Sequence, residues 1–438
     1  MVQGSVKARE VATWIVRMLR DRGFVAYFAG GCVRDELLGL TPKDYDVATD
    51  ARPDAIAGLF PRTAHVGAAF GVMLVRHEGV SVEVATFRAD GEYTDRRRPD
   101  QITFSDEVAD AKRRDFTVNA LFLDPLKPDT DSGRVIDHVG GVADLHAKVL
   151  RAVGDADQRL KEDDLRSLRA VRLSTRLGFE IEPATREAIR RHAGELSGIS
   201  RERIGDEVRL MLEHPSRGSA MQLLAELGLD GPTFGRPAIA GRSWLLPLLK
   251  PAPALQDREP NECGIVAGTL AMALLDREGP GLIAKTAQGE GQRLEVLRET
   301  RRALCLSNEE RDDCLAILRH VAELREGWSA SPVAKQKRIG ASRGFVWAVE
   351  IVRTLDASGA DQIDRRVAEL AGLHGGLAPK PYVTGDDLVE AGFSPGPSFR
   401  TVLDRVYDEQ LEGRIGSPTE GLALATRMAR ELGGLPGV

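Results

Sequence analysis

Cysteine is scarce in this 438-residue chain: Cys32, Cys263, Cys305 and Cys314 are its only four, with no Cys-x-x-Cys spacing. That argues against a disulfide framework or a zinc site and points to a reducing cytoplasm. Long apolar runs are missing too. None approaches the roughly 20 residues needed to span a bilayer, and Met1 to Glu10 carries Lys7, Arg9 and Glu10 where a signal peptide would be apolar. No membrane partner is expected. There is no repeat of fixed period and no excess of positive charge, the net being −6 at pH 7. This balance does not by itself mark a nucleic-acid binder, yet it permits a local basic groove. Arginines cluster at Arg96 to Arg98, at Arg113-Arg114 and from Arg166 to Arg176. For any one cluster the plain alternative is a solvated helix face.

What is present is an ordinary soluble composition, 42% hydrophobic and 29% charged, in a chain long enough for two to four domains. Its centre is Gly30-Gly31-Cys32-Val33-Arg34-Asp35, followed by Asp44-Tyr45-Asp46. The apolar run Phe24 to Ala29 leads into a glycine pair that lets the backbone turn sharply and approach a ligand. Arg34 offers a forked donor to a phosphate. On a strand, Asp44 and Asp46 emerge on one face, and two such carboxylates suit hard divalent cations. Together the two halves suggest phosphoryl or nucleotidyl transfer.

Around this centre, helices are expected over 6–22, 35–38 and 54–60, and strands over 24–29, 44–48, 72–76 and 80–86. These form a small head with a mixed, mostly antiparallel sheet, an α+β class. Glu83 is either a third carboxylate facing the aspartates or a charge on an exposed strand face. The polar stretch 88–110, with Pro99, reads as a mobile loop. Lys112 to Ala120 gathers basic, acidic, hydroxyl and amide groups suited to sugar and phosphates. Val135 to Asp137 closes the sheet. From Asp157 to Leu177 the pattern is one helix, with Asp163, Arg166, Arg169 and Arg172 in steps of three. That stripe is either a salt-bridged solvent face or a row able to pair with the edge of a base. Helices follow at 185–192, 200–213 (Ser200 as N-cap), 219–228, 265–275, 292–304, 309–323, 344–355, 398–412 and 418–432. A Gly/Pro-rich boundary falls over 231–260, and 375–380 reads as a linker.

Four motifs in this order, Gly30 to Asp35, Asp44-x-Asp46, Arg113-Arg114-Asp115-Phe116-Thr117-Val118-Asn119-Ala120 and Glu162-Asp163-Asp164-Leu165-Arg166, closely resemble those of the bacterial class II tRNA nucleotidyltransferase (CCA-adding enzyme) and poly(A) polymerase family. The likeness runs through Arg176 to Phe179 and includes Ser200-Arg201-Glu202-Arg203-Ile204, similar to the family's helix-bracing motif. It covers roughly residues 10 to 230, and the segment from Tyr382 to Gly413 resembles the tail of part of the family. No likeness to an appended His-Asp phosphohydrolase domain is seen. The resemblance implies a head (1–150), an all-helical neck (151–230), body (231–380) and RNA-binding tail (381–438). It implies transfer of CMP or AMP from CTP or ATP to the 3′ end of tRNA or another RNA, with no nucleic-acid template. Asp44 and Asp46 would hold two Mg²⁺ ions. Gly31 and Arg34 would contact the triphosphate, and Arg114 with Asp115 the ribose and phosphates. Asp163 and Arg166 would read the base, oriented by Glu162, with Arg169 and Arg172 nearby. Asp164 stands where proline is common in relatives.

The same catalytic residues serve CCA-adding, CC-adding, A-adding and poly(A)-polymerising relatives; CCA addition is the first choice. The length of the 88–110 segment argues mildly against pure CC addition. A catalytically dead RNA-binding protein on this scaffold is disfavoured by the intact Asp44, Asp46, Arg34, Asp163 and Arg166. Transfer to a small molecule or protein is disfavoured by the long helical C-terminal half. Oligomeric state is not legible.

Overall fold

The computed structural model describes residues 2–67, 71–91, 102–127, 133–235, 297–298, 301–373 and 375–431. The chain divides into two compact units, Met1–Ala240 and Gly241–Val438.

The first unit is built on a seven-stranded sheet in the order β3-β4-β5-β2-β1-β8-β9. The strands are β1 (Ala26–Ala29), β2 (Asp46–Thr49), β3 (Thr63–Gly67), β4 (Val72–His77), β5 (Val80–Thr86), β8 (Phe122–Asp124) and β9 (Arg134–Ile136). Every pairing is antiparallel except β2 with β5, as expected of a mostly antiparallel head. Alternation along the strands separates two cores. Phe28, Val47, Val82 and Val84 turn to one face and pack with Val11, Ile15 and Leu19 of helix α1 (Val2–Arg20). Ala29, Ala48, Phe87 and Phe122 turn to the other. Burying each large side chain contributes roughly 1.5–3 kcal/mol, so a one-residue register slip is strongly disfavoured.

That register puts the chemistry at one end of the sheet. β1 runs out at Ala29 into the Gly30 turn, and β2 enters beside it with Val47 opposite Phe28. Parallel pairing then sets Glu83 directly beside Asp46. Helix α2 (Gly31–Leu37) starts at the glycine turn itself, four residues earlier than the sequence suggested. Strand β2 begins only at Asp46, so Asp44 and Tyr45 belong to the connection before it, not to the strand. β3 was not anticipated: Thr-Ala-His-Val-Gly lacks a clear apolar alternation.

The 88–110 segment is not a plain loop. Its described parts form a ribbon of β6 (Arg88–Asp90) and β7 (Ile102–Phe104), then helix α4 (Glu107–Lys112), capped by Asp106 accepting from the Ala109 N–H at 2.8 Å. Arg96 to Arg98 lie outside the described residues. A short 3₁₀ turn at Thr117–Asn119 and helix α5 (Gly141–Ala147) pack together at the sheet edge.

The helix expected over 157–177 is two helices, α6 (Ala156–Glu162) and α7 (Arg166–Leu177). Asp163 between them is extended, at φ −154° and ψ 103°. Asp155 caps α6, accepting from the Gln158 N–H. α7 ends at Gly178 in the left-handed region (φ 68°), the usual glycine stop. The neck also carries a strand, β11 (Glu180–Ile181), parallel to β10 (Val149–Leu150). Helices α8 (Pro183–His192), α9 (Arg201–Glu213), α10 (Arg217–Glu226) and α11 (Asp230–Phe234) complete the unit. Ser200 occupies the N-cap of α9, but its side chain makes no capping bond.

In the second unit the described residues are helical at Asn308–Glu326, Val333–Gly340, Phe345–Leu355, Ala357–Ala371, Gly385–Glu390, Pro397–Leu411 and Pro418–Glu431. The helices over 333–340, 357–371 and 385–390 were not anticipated. Those expected over 265–275, and most of 292–304, lie outside the described residues. Ser307–Glu310 and Thr384–Asp387 form reciprocal capping boxes. Lys337 is fully buried and its Nζ donates to the Leu373 carbonyl at 2.7 Å. Among the described residues no helix is long and apolar enough to cross a membrane.

A Cβ on Gly141 would overlap the Thr117 carbonyl oxygen and press on Leu121. Gly141→Ala should therefore force α5 off the 3₁₀ turn and cost about 2–3 kcal/mol of stability, read as a lower urea midpoint.

Candidate active site

A cavity of about 450 Å³ opens where the glycine turn, the Arg113 to Asn119 segment and α7 meet. Its lining includes Gly30, Gly31, Arg34, Asp46, Arg114, Asp115, Asp163, Arg166, Arg169 and Arg172. The structure thus brings together most of the candidates named from sequence.

On the head side, Gly30 is left-handed (φ 78°), and a Cβ there would come within 3.0 Å of Arg114 Nη1. Gly31 is not constrained in this way; its Cβ would meet the protein no closer than 3.7 Å, so its bareness leaves room for a ligand. Arg34 is buried and clamped. Its Nε and Nη2 donate to Asp35 Oδ1 at 2.8 and 2.6 Å, and its Nη1 to Asn119 Oδ1 at 2.5 Å. Arg114 donates from Nε and Nη2 to Asp110 Oδ2 and from Nη1 to the Asn119 carbonyl. Its guanidinium lies 5.1 Å over the Phe122 ring, a favourable cation–π placement.

On the neck side every acid and guanidinium of the stepped row has a partner. Glu162 accepts from Arg166 Nη1 and pairs with Arg159, both at 2.7 Å. Asp163 Oδ2 accepts from Arg203 Nη2 at 2.6 Å, and its Oδ1 accepts from the Leu165 N–H at 3.1 Å. Arg172 donates to Glu207 at 2.6 Å. Arg203 and Glu207 both come from α9, so this helix braces α7 and its entry, Arg203 from within the 200–204 segment and Glu207 from beyond it. Neck meets head where Arg169 Nη2 and Nε donate to Asp115 Oδ2 at 2.6 and 2.8 Å, and where Arg176 stands 3.6 Å from Asp35. Burial alone would raise the Asp115 carboxyl, but Arg169, the Asn119 amide and the Arg166 charge bring it down to about 2. Asn119, Asp35, Arg176 and Arg203 belong to the site and were not singled out from sequence. The first three lie inside or beside motifs that were, and Arg203 lies in the bracing segment.

The remaining acids behave differently. Among the described residues no salt bridge reaches Asp44, Asp46 or Glu83. Asp46 is open to solvent at its rim, yet burial of its carboxyl, then the charges of Asp44 and Glu83, push it up to about 7 against the pull of Arg114. An acidic patch whose own cations are spent elsewhere is suited to a metal ion. No three His, Cys, Asp or Glu side chains among the described residues converge tightly enough to hold one alone. Such a donor set fits an ion that takes one or two carboxylates and completes its shell with water and substrate phosphates, as Mg²⁺ does.

The glycine turn, the carboxylate of Asp46 and the braced polar row line one cavity, an arrangement suited to nucleotidyl transfer. Residues 26–151 match the family described as the poly A polymerase head domain, and 178–239 that described as the probable RNA and SrmB-binding site of polymerase A. The CCA-adding enzyme of Geobacillus stearothermophilus is 34% identical over 93% of this chain and 94% of its own. That of Lacticaseibacillus paracasei is 31% identical over 95% and 96%. The match to the Geobacillus thermodenitrificans enzyme is 45% identical but spans about half of each, 50% of this chain and 53% of that protein. The crystal structure of the Bacillus stearothermophilus CCA-adding enzyme in complex with CTP superposes with a TM-score of 0.70 at 30% identity, covering 96% of this chain and 98% of that one. The chain belongs to the bacterial CCA-adding enzyme family, whose members generally use a divalent metal.

The low Asp115 value gives a signed prediction. A depressed carboxyl contributes stability that is complete above its unfolded value of 3.8 and is lost as pH falls towards 2. The contribution is on the order of 2 kcal/mol. Asp115→Asn should lower stability at pH 7 and flatten the acid limb between pH 5 and 2, measured by urea midpoints across that range.

Proposed function

We propose that this chain builds the CCA end of tRNA, adding CMP twice and AMP once from CTP and ATP, and that it selects the nucleotide without a nucleic-acid template. The observation that carries this reading is the shared cavity. Phosphate-facing Gly31 and Arg34, the carboxylate Asp46 and the base-facing Asp163 and Arg166 all line one space. The name and span of the relatives matched over nearly their whole length support it.

The triphosphate would lie against the bare backbone of Gly31 and the clamped guanidinium of Arg34, with Arg114 beside the ribose and phosphates. Asp115 fixes Arg169 and, through Asn119, orders the same wall. Asp44 and Asp46 would hold Mg²⁺, with Glu83 adding negative charge beside them. Bound there, the metal would supply Lewis-acid activation of the RNA 3′-hydroxyl and charge stabilisation of the departing pyrophosphate. The 3′ oxygen attacks the α-phosphorus as the bond to pyrophosphate breaks.

Base choice falls to Asp163 and Arg166. Arg203 and the Leu165 N–H each take one lone pair of the Asp163 carboxylate, which leaves others to accept from an exocyclic amino group. Cytosine and adenine present one; guanine and uracil present a carbonyl there. Arg166, held by Glu162, supplies donors to a ring nitrogen or carbonyl, with Arg172 behind it. We assign the head to 1–150, the neck to 151–230, the body to 231–380 and the tail to 381–438, with RNA bound by charge and shape along the last three. We place the protein in the cytoplasm, consistent with a sequence of only four cysteines and no Cys-x-x-Cys spacing.

Incubation with tRNA lacking CCA, CA or A, each with CTP, ATP or both, should yield full-length CCA ends from all three. Arrest after CC, addition of A alone, or a long A tail would assign the activity to a single-nucleotide or poly(A) relative instead. Asp44→Ala and Asp46→Ala should each lower incorporation by about 10³-fold or more while tRNA binding in a filter assay is retained. Asp163→Ala should admit GTP and UTP; unchanged exclusion of both would remove Asp163 from base reading.

A further inference from the structure

Asp44 and Asp46 can share a cation only if both carboxylates face the same way, and strand pairing secures only one of them. Asp46 is held in the β2–β5 ladder beside Glu83, but the strand begins there, and Asp44 precedes it in an exposed connection. What lies between is Tyr45, 4% exposed and turned to the opposite side. Its ring meets Phe28 edge-on at 5.2 Å. Its hydroxyl donates to Glu36 Oε1 at 2.6 Å, and the same oxygen accepts from Arg9 Nε at 2.7 Å. Arg9 in turn lies 5.7 Å over the Phe28 ring. Glu36 stands on α2, the helix that begins at the glycine turn.

We infer that the Arg9–Glu36–Tyr45 latch is a positioning device for the metal: by pinning Tyr45 to α2 it aims Asp44 at the side already occupied by Asp46. The inference rests on the proposed metal role of the two aspartates. Its physical content is that a residue outside the ladder keeps its two soft backbone dihedrals free, and a buried neighbour with a satisfied hydroxyl restricts that freedom. The latch also joins the segment proposed for the metal to the helix proposed for the triphosphate, so the two ligand sets keep one spacing. None of the three latch residues lines the cavity, so they act on it through the segments they hold, and an effect carried by Asp44 is told from one carried by α2 because only the first is restored by saturating Mg²⁺.

The test is Mn²⁺ binding by electron paramagnetic resonance on the full chain without nucleotide, alongside steady-state kinetics over a range of Mg²⁺. Tyr45→Phe keeps the ring and removes only the hydroxyl. It should weaken Mn²⁺ binding about five- to tenfold and raise the half-saturating Mg²⁺ by a similar factor. At saturating Mg²⁺, kcat and the KM for CTP should return to those of the parent, and the thermal midpoint should move little. Glu36→Gln, which retains an acceptor for the hydroxyl, should show a smaller shift than Tyr45→Phe. Unchanged Mn²⁺ affinity in Tyr45→Phe, or a kcat deficit that saturating Mg²⁺ does not restore, would overturn the latch. Asp44→Ala separates the two levels. If it leaves Mn²⁺ binding intact, the metal reading itself fails. If it abolishes binding while Tyr45→Phe does nothing, only the latch fails.

Discussion

A cleft lined by guanidinium groups repels itself, and this one holds together because buried carboxylates answer them. Arg34 meets Asp35, Arg114 meets Asp110, Arg166 meets Glu162, Arg169 meets Asp115, Arg172 meets Glu207, and Asp163 is met by Arg203. Taking such charges out of water costs several kcal/mol each, so the pairs are poor sources of net stability. What they supply is position. Removing one partner leaves the other buried and uncompensated, a loss of about 3–5 kcal/mol, so each arginine is confined to one place before any ligand arrives. Pre-placed charge of this kind needs little reorganisation at the moment of reaction.

The same constraint explains the contrast at the sheet end. The cation that pulls on Asp46, Arg114, is already committed to Asp110 and the Asn119 carbonyl. The acids are left to repel one another, which is costly in the empty protein and favourable once a divalent ion enters. A site that paired these carboxylates internally would be more stable and would bind metal worse. The head therefore leaves Asp44, Asp46 and Glu83 without an ion pair among the described residues, while Arg34 and Arg114 beside them are each matched to a carboxylate.

Local chemistry was legible in the sequence, and distant pairing was not. The glycine turn, the Asp-x-Asp pair and the Arg113 to Ala120 segment are contiguous, and each carries its physical reason within a few residues. The break at Asp163 is not of this kind. The polar steps Asp163, Arg166, Arg169 and Arg172 read as helix from Asp163 onward, and the partner that holds the extended Asp163 is Arg203, 40 residues away. The ribbon at Arg88–Asp90 and Ile102–Phe104 is equally hidden: three-residue strands in a polar stretch leave no period to count. Asn119 shows the same limit from inside a motif. Its amide accepts from Arg34 and donates to Asp115, a bridge between two motifs that neither motif announces.

That bridge bears on how one site could serve two bases. On the proposed reading the head carries the phosphates and metal, which are the same for CTP and ATP, while the neck carries the base edge, which is not. Chemistry and choice then need a fixed distance between them, although a purine is longer than a pyrimidine. The closed path from Arg169 through Asp115, Asn119, Arg34 and Asp35 to Arg176 spans two turns of α7. It ties the neck to the head at both of its ends. Adjustment for size cannot come from sliding α7 against the glycine turn without breaking buried pairs. It has to come from the part of the neck outside that path, where the backbone at Asp163 is extended between α6 and α7. A helix unbroken from 156 to 177 would have offered the base a rigid edge. On the proposed reading, the break sets Asp163 outside the regular helix, so the acid that would meet the base is placed by α9 through Arg203 and not by the helical ladder of α7.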